Sequence, residues 1–125
     1  MRILLDTNIL IWTLSEPKKL PKEAKRLMDL SSVLYVSAAS LWEINIKASL
    51  GKIKIDVHQL IRCLHDLDIQ ELPVTWEHTL LVKDLPFHHH DPFDRILVAQ
   101  AMSEPLILLT HDAALPQYGE LVKFV

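Results

Sequence analysis

Glycine and cysteine are scarce in this chain: two glycines, Gly51 and Gly119, and one cysteine, Cys63, among 125 residues. Two isolated glycines exclude a Gly-rich phosphate loop of the P-loop or dinucleotide type, because each needs several glycines close together for the backbone to wrap a phosphate. One cysteine excludes an internal disulfide and a thiolate zinc cluster, and it fits a reducing cytosol, so a cytoplasmic location is expected. No apolar run approaches the roughly 20 residues of a membrane-spanning helix. The opening MRILLDTN meets an aspartate at position 6 and reads as neither a signal peptide nor a span.

Basic excess is also missing. The net charge is −3, whereas a nucleic-acid binder usually carries a basic footprint. Four acids are assigned below to one site, and setting them aside leaves 12 acids against 13 Lys and Arg. The cluster Lys18, Lys19, Lys22, Lys25 and Arg26 reads as a solvated helix face.

What is present is a hydrophobic half and a charged quarter, at a length suited to one folded domain spanning residues 1–125. RILLD and VLYVS are apolar without alternation, as buried strands are. A helix is expected through Ile9 to Ser15, ended by Pro17. Pro21 suits the first position of a second, PKEAKRLMDL. Ser37 can cap AASLWEINIKASL, with Gly51 just past its end. Asp56 can cap VHQLIRCLHDL, where Val57, Leu60, Ile61 and Leu64 make an apolar stripe. IQEL reads as a strand, Thr75 starts a helix toward Lys83, and Asp91 with Pro92 opens another. LILLT is a buried strand, and LVKFV is a final strand at an edge. Strands alternating with helices predict an α/β fold: a mostly parallel central sheet flanked by helices on both faces.

In open α/β sheets ligands bind beyond the carboxyl ends of the strands. Asp6 closes RILLD there, and Asp112 follows LILLT by two residues. Each taken singly is also an ordinary turn residue. Asp94 begins an apolar stripe with Leu97, Val98 and Ala101, where a free carboxylate is expensive to bury, although an acid in a first helical turn is favoured by the dipole. Glu43 shares a helix face with Ala39, Ile46 and Leu50, and it can also pair with Lys47 one turn on. Four carboxylates at one sheet edge repel one another unless a cation neutralises them, and oxygen ligands select a hard ion such as Mg²⁺ or Mn²⁺.

The stretches LLDTNILIW, SAASLWEINIKASLGKI, HHHDPFDRILVAQA and LILLTHD resemble the PIN-domain ribonucleases, specifically the VapC-like toxins of bacterial toxin–antitoxin pairs, over nearly the whole chain. The resemblance implies that Asp6, Glu43, Asp94 and Asp112 are the catalytic, metal-binding acids. Thr7, Asn8 and Thr110 occupy the polar positions beside them, expected to hold the ligands or metal-bound water from behind. It implies Mg²⁺- or Mn²⁺-dependent cleavage of single-stranded RNA by an activated water, homodimers paired through helices, and silencing by a small antitoxin whose tail covers the pocket and a neighbouring apolar groove. Trp12, Leu14, Trp42 and Ile46 are open to membership of that groove, an ordinary core role being the reading we favour. Arg95 is open to two readings, holding a scissile phosphate or pairing with Asp91 one turn back, and we favour the pair.

Rival readings are an aspartyl-phosphate phosphatase, a receiver-like phosphoacceptor, and a non-catalytic RNA-binding module of the same fold. A phosphatase needs a second aspartate two residues after the first, where Asn8 stands. A receiver wants a lysine after a late strand, where His111 and Asp112 stand. The complete acid set argues against the non-catalytic module. His88, His89 and His90 are expected to be a solvated lead-in to the helix behind them, with RNA contact as the lesser reading.

Overall fold

The computed structural model describes all residues, 1–125. Five strands form one wholly parallel sheet: β1 (Arg2–Leu5), β2 (Val33–Ser37), β3 (Gln70–Leu72), β4 (Ile107–Thr110) and β5 (Val122–Phe124), in the order β3-β2-β1-β4-β5. Six helices connect them: α1 (Thr7–Ser15), α2 (Lys22–Leu30), α3 (Ala38–Ser49), α4 (Val57–Asp66), α5 (Trp76–Asp84) and α6 (Pro92–Ser103). The expected α/β architecture is present, parallel throughout, with LVKFV at an edge.

Alternation along β1 sorts the core into two layers. Ile3 and Leu5 pack toward α1, α2 and α4, with Ile9, Leu10, Ala24, Leu27, Leu60 and Leu64. Leu4 points the other way, toward Leu97, Val98, Ala99 and Ala101 of α6 and Leu85 at the end of α5. Central strands covered on both faces explain why RILLD and LILLT read as continuous apolar runs.

Helix starts follow the side-chain chemistry. Ser37, Asp56, Thr75 and Asp91 each accept a hydrogen bond from a first-turn backbone N–H of the helix they precede. Thr75 adds a reciprocal bond with His78, which replaces the usual acid of a capping box. Gly51 beyond α3 has a φ of +70°, which suits glycine. Helix starts differ from expectation in two places: α1 begins at Thr7, two residues before Ile9, and Pro21 caps α2 from outside instead of starting it. No helix is long and apolar enough to cross a membrane.

The chain runs outward from β1 to β2 and β3, then crosses to the other side of β1 for β4. The strand order therefore reverses between β1 and β4, and the carboxyl ends of these two strands open the crevice where α/β folds bind ligands. Leu5 is in register with Leu109, which sets Asp6 beside Thr110.

Candidate functional site

At that crevice Asp6 has left the strand and caps α1, its Oδ1 accepting from Ile9 N at 2.8 Å. Its Oδ2 accepts from Thr110 Oγ1 at 2.6 Å, so both oxygens are held in place. Thr110 Oγ1 also accepts from Asp112 N at 3.0 Å, and Asp112 Oδ1 closes the following turn on Ala114 N at 2.9 Å. One buried hydroxyl thereby couples the acid after β1 to the acid after β4. Thr7 Oγ1 donates to Ser40 Oγ at 3.1 Å, tying α1 to α3, while Asn8 is exposed and lines the cleft.

Two helices complete the ring of acids. Glu43 is buried in α3, with Oε2 3.1 Å from Lys47 Nζ. Its Oε1 is enclosed without a hydrogen-bond partner. The expected pairing with Lys47 therefore exists, but it uses half of the carboxylate. The face assigned to Glu43 needs correction. Ala39, Ser40 and Ile44 are buried with it, whereas Ile46 and Leu50 are exposed, because α3 lays its amino-terminal half on the sheet and leaves its last turns in solvent. Asp94, in the first turn of α6, lies above fully buried Leu97, Val98 and Ala101, as the stripe predicted.

Asp6, Thr7, Asn8, Glu43, Lys47, Asp91, Asp94 and Asp112 line one cleft, none of them hydrophobic. Burial pushes the Asp94 carboxyl up to about 7, and the charges of Asp91, Asp6 and Glu43 add to it, while His89 pulls against them. Burial also raises Asp6, against the hydrogen bonds from Thr110, Ile9 and the His111 backbone, with Asp112's charge raising it further. Both acids are thus held away from ionisation by the surroundings that gather them. An all-oxygen set with one buried, unpartnered carboxylate oxygen suits a hard divalent cation. Asp6, Glu43, Asp94 and Asp112 would hold it, with Thr110 bracing Asp6.

The three histidines part company, and one of them corrects the expectation of a solvated lead-in. His88 meets the edge of Tyr118, and His90 stacks on Phe87. His89 turns into the cleft, its Nε2 2.8 Å from Asp112 Oδ2 and 3.5 Å from Asp94 Oδ2. Its Nδ1 accepts from Asp91 N at 3.0 Å. A ring nitrogen that accepts from a backbone N–H carries no proton, so the proton sits on Nε2, which donates toward the acids. Three adjacent histidines carry no mark that singles out the middle one. Only the fold of the preceding loop does so.

Arg95 matches neither reading proposed for it. It is buried, and its guanidinium donates to the carbonyls of Pro86 at 2.9 Å, Val82 at 2.9 Å, Leu85 at 3.2 Å and His89 at 3.4 Å, and to the Tyr118 hydroxyl at 3.1 Å. Phe87 covers the cation at 4.3 Å. Those carbonyls belong to the end of α5 and the loop after it, and the guanidinium gathers them from α6. The residue holds the loop that carries His89 and is closed to a phosphate. The favoured core role fails for Trp42 and Ile46, which are exposed, and stands for Trp12 and Leu14, which are partly buried against the first core layer.

Solved structures of similar shape include chains of VapBC2 from Rickettsia felis bound to a DNA fragment from their promoter (TM-score 0.71, 15% identity, covering 100% of this chain and 98% of that one). DNA-bound VapBC from Salmonella typhimurium is comparable (0.70, 16%, 100% and 97%), as is a toxin-antitoxin complex from Klebsiella pneumoniae (0.63, 22%, 97% and 98%). At these identities the likeness is one of fold. No curated protein matches the sequence. The PIN domain family model matches residues 3–121, nearly the full length, and the chain therefore belongs to the PIN domain family.

Proposed function

We propose that this chain is a Mg²⁺- or Mn²⁺-dependent endoribonuclease that cuts single-stranded RNA, and that it acts as the toxin of a toxin–antitoxin pair. The observation that carries the reading is the convergence of Asp6, Glu43, Asp94 and Asp112, from four separate segments, on one cleft with no hydrophobic lining. A divalent cation held by Asp6, Glu43, Asp94 and Asp112 would supply charge to neutralise these acids and a scissile phosphate and would lower the pKa of an attacking water. The protein's part is to keep the carboxylates in place before the substrate arrives. Thr110 and the α1 amino terminus fix Asp6, the turn at Ala114 and His89 fix Asp112, and Leu97, Val98 and Ala101 carry Asp94 at the edge of the core. The one hydroxyl lining the cleft, that of Thr7, is engaged with Ser40 at 3.1 Å, which accords with direct attack by water.

Partners follow from the surface. Trp42 and Ile46 of α3, and Leu50 just past its end, are exposed at four-residue spacing, a stripe suited to pairing with a second copy as a homodimer. A separate apolar groove, lined by Leu41, Ile61, Leu64 and Ile69, suits the extended apolar tail of an antitoxin. The named VapBC and toxin-antitoxin complexes of the same fold favour such a partner.

The test is cleavage of labelled single-stranded RNA with Mg²⁺ or Mn²⁺. Cleavage that EDTA stops and Asp94→Asn removes is expected. Equal cutting by wild type and Asp94→Asn would sink the assignment. Sedimentation of wild type and Trp42→Glu tests the dimer.

A further inference from the structure

The acidic cleft can grip a phosphodiester through a cation, but it has no surface for a base. Next to it three rings from three elements meet. His111 stands between Thr110 and Asp112. It stacks on Phe124 of β5, with ring centres 5.0 Å apart and planes 22° from parallel. Trp12 of α1 meets the same imidazole edge-on at 5.3 Å. The imidazole is locked: its Nδ1 is 2.5 Å from the Val125 carbonyl, and since a carbonyl only accepts, Nδ1 carries the proton. Trp12 is anchored against the first core layer. His111 is exposed, and 47% of the Phe124 surface is open to solvent.

We infer that Trp12, His111 and Phe124 form a stacking platform for one nucleobase of a single-stranded RNA, in the nucleotide next to the phosphate held in the cleft. The inference rests on the nuclease reading above and adds a base subsite to it. A nucleobase is the occupant the chemistry favours for three reasons. The rings are already stacked, so little side-chain freedom is lost when another flat ring is added. Every base has a π-face, so the site binds without reading sequence. The platform is also continuous with the acids through the backbone of residues 110–112, where Thr110, next to His111, bonds both Asp6 and the Asp112 N–H. An apolar peptide would find a lined groove elsewhere, between α3 and α4.

The experiment is fluorescence anisotropy of a labelled single-stranded oligoribonucleotide in Ca²⁺, with wild type, Phe124→Leu and Phe124→Trp, and with oligonucleotides carrying one abasic residue walked along the strand. Phe124→Leu keeps an apolar side chain on the edge strand, and thermal melting checks its fold. Its Kd is expected to rise by about 5- to 150-fold, the range of one lost base stack, while Phe124→Trp binds as tightly as wild type. In wild type one abasic position costs a similar factor, and in Phe124→Leu that position costs nothing further. In Mn²⁺ the variant should lose through KM, with kcat kept within about threefold. If wild type cuts RNA while folded Phe124→Leu binds it equally well, the platform is overturned and the nuclease stands. If Phe124→Leu instead loses a protein partner with RNA affinity intact, the rings serve a peptide and the inference falls. A wild type that neither binds nor cuts single-stranded RNA removes the nuclease reading, and the platform with it.

Discussion

His89 donates from Nε2 to Asp112 Oδ2 across 2.8 Å, with its ring set by Asp91 N on the opposite nitrogen. The residue that caps α6 thus also decides which imidazole nitrogen faces the acids. A histidine that ligates a metal normally donates its other N–H to an acceptor. Here a donor occupies that place, so on the proposed metal-site reading His89 would act through Asp112 as a positioning residue.

His89→Ala should therefore weaken binding of Mn²⁺ by about tenfold, as loss of a group behind a metal ligand commonly does. His89→Gln, whose amide can still donate near the Nε2 position, should recover most of it. Isothermal titration measures both. Tighter binding in His89→Ala would show that the ring competes with the cation.

Asp94→Asn should stabilise the cation-free protein at pH 8. The folded-state value of about 7 lies above the ordinary 3.8, so between those values the folded state holds more protons than the unfolded one. Stability then falls as pH rises through that window and stays low above it. Removing the charge should return about 1–2 kcal/mol at pH 8, less than the full shift implies because solvent still reaches the carboxyl. That corresponds to about 3–6 °C in Tm. Well below pH 3.8, where Asp94 is protonated in both states, the two proteins should melt together.

Cation affinity should depend on pH through the same group. Below about pH 7 a cation must displace the Asp94 proton, so the apparent Kd should rise by up to about tenfold per pH unit. Above pH 8 it should level off. A flat profile between pH 5.5 and 7 would mean that Asp94 stays ionised in the free protein.

Arg95→Lys should cost about 2–4 kcal/mol of stability, because an ammonium cannot span the carbonyls of Val82, Leu85 and Pro86 that the guanidinium fork joins. Chemical denaturation reads this directly. A protein of unchanged stability with a raised KM for RNA would restore the phosphate-binding role.

The sequence by itself determined the architecture. Apolar runs without alternation in RILLD and LILLT read as strands covered on both faces, and Ser37, Asp56, Thr75 and Asp91 marked helix starts through chemistry local to a few residues. It also placed Asp6 and Asp112 at strand ends and Asp94 above a buried stripe, because those positions follow from strand direction and helical period. Tertiary structure alone decided the rest. Whether Glu43 Oε1 is left without a partner, whether Arg95 faces a phosphate or the carbonyls of its own loop, and which of three adjacent histidines enters the cleft all depend on contacts between segments distant in the chain. The same holds for the rings of Trp12, His111 and Phe124, up to 112 positions apart in sequence and joined only where β4, β5 and α1 converge. Local pattern reports which face a residue takes, and packing between faces determines what it meets there.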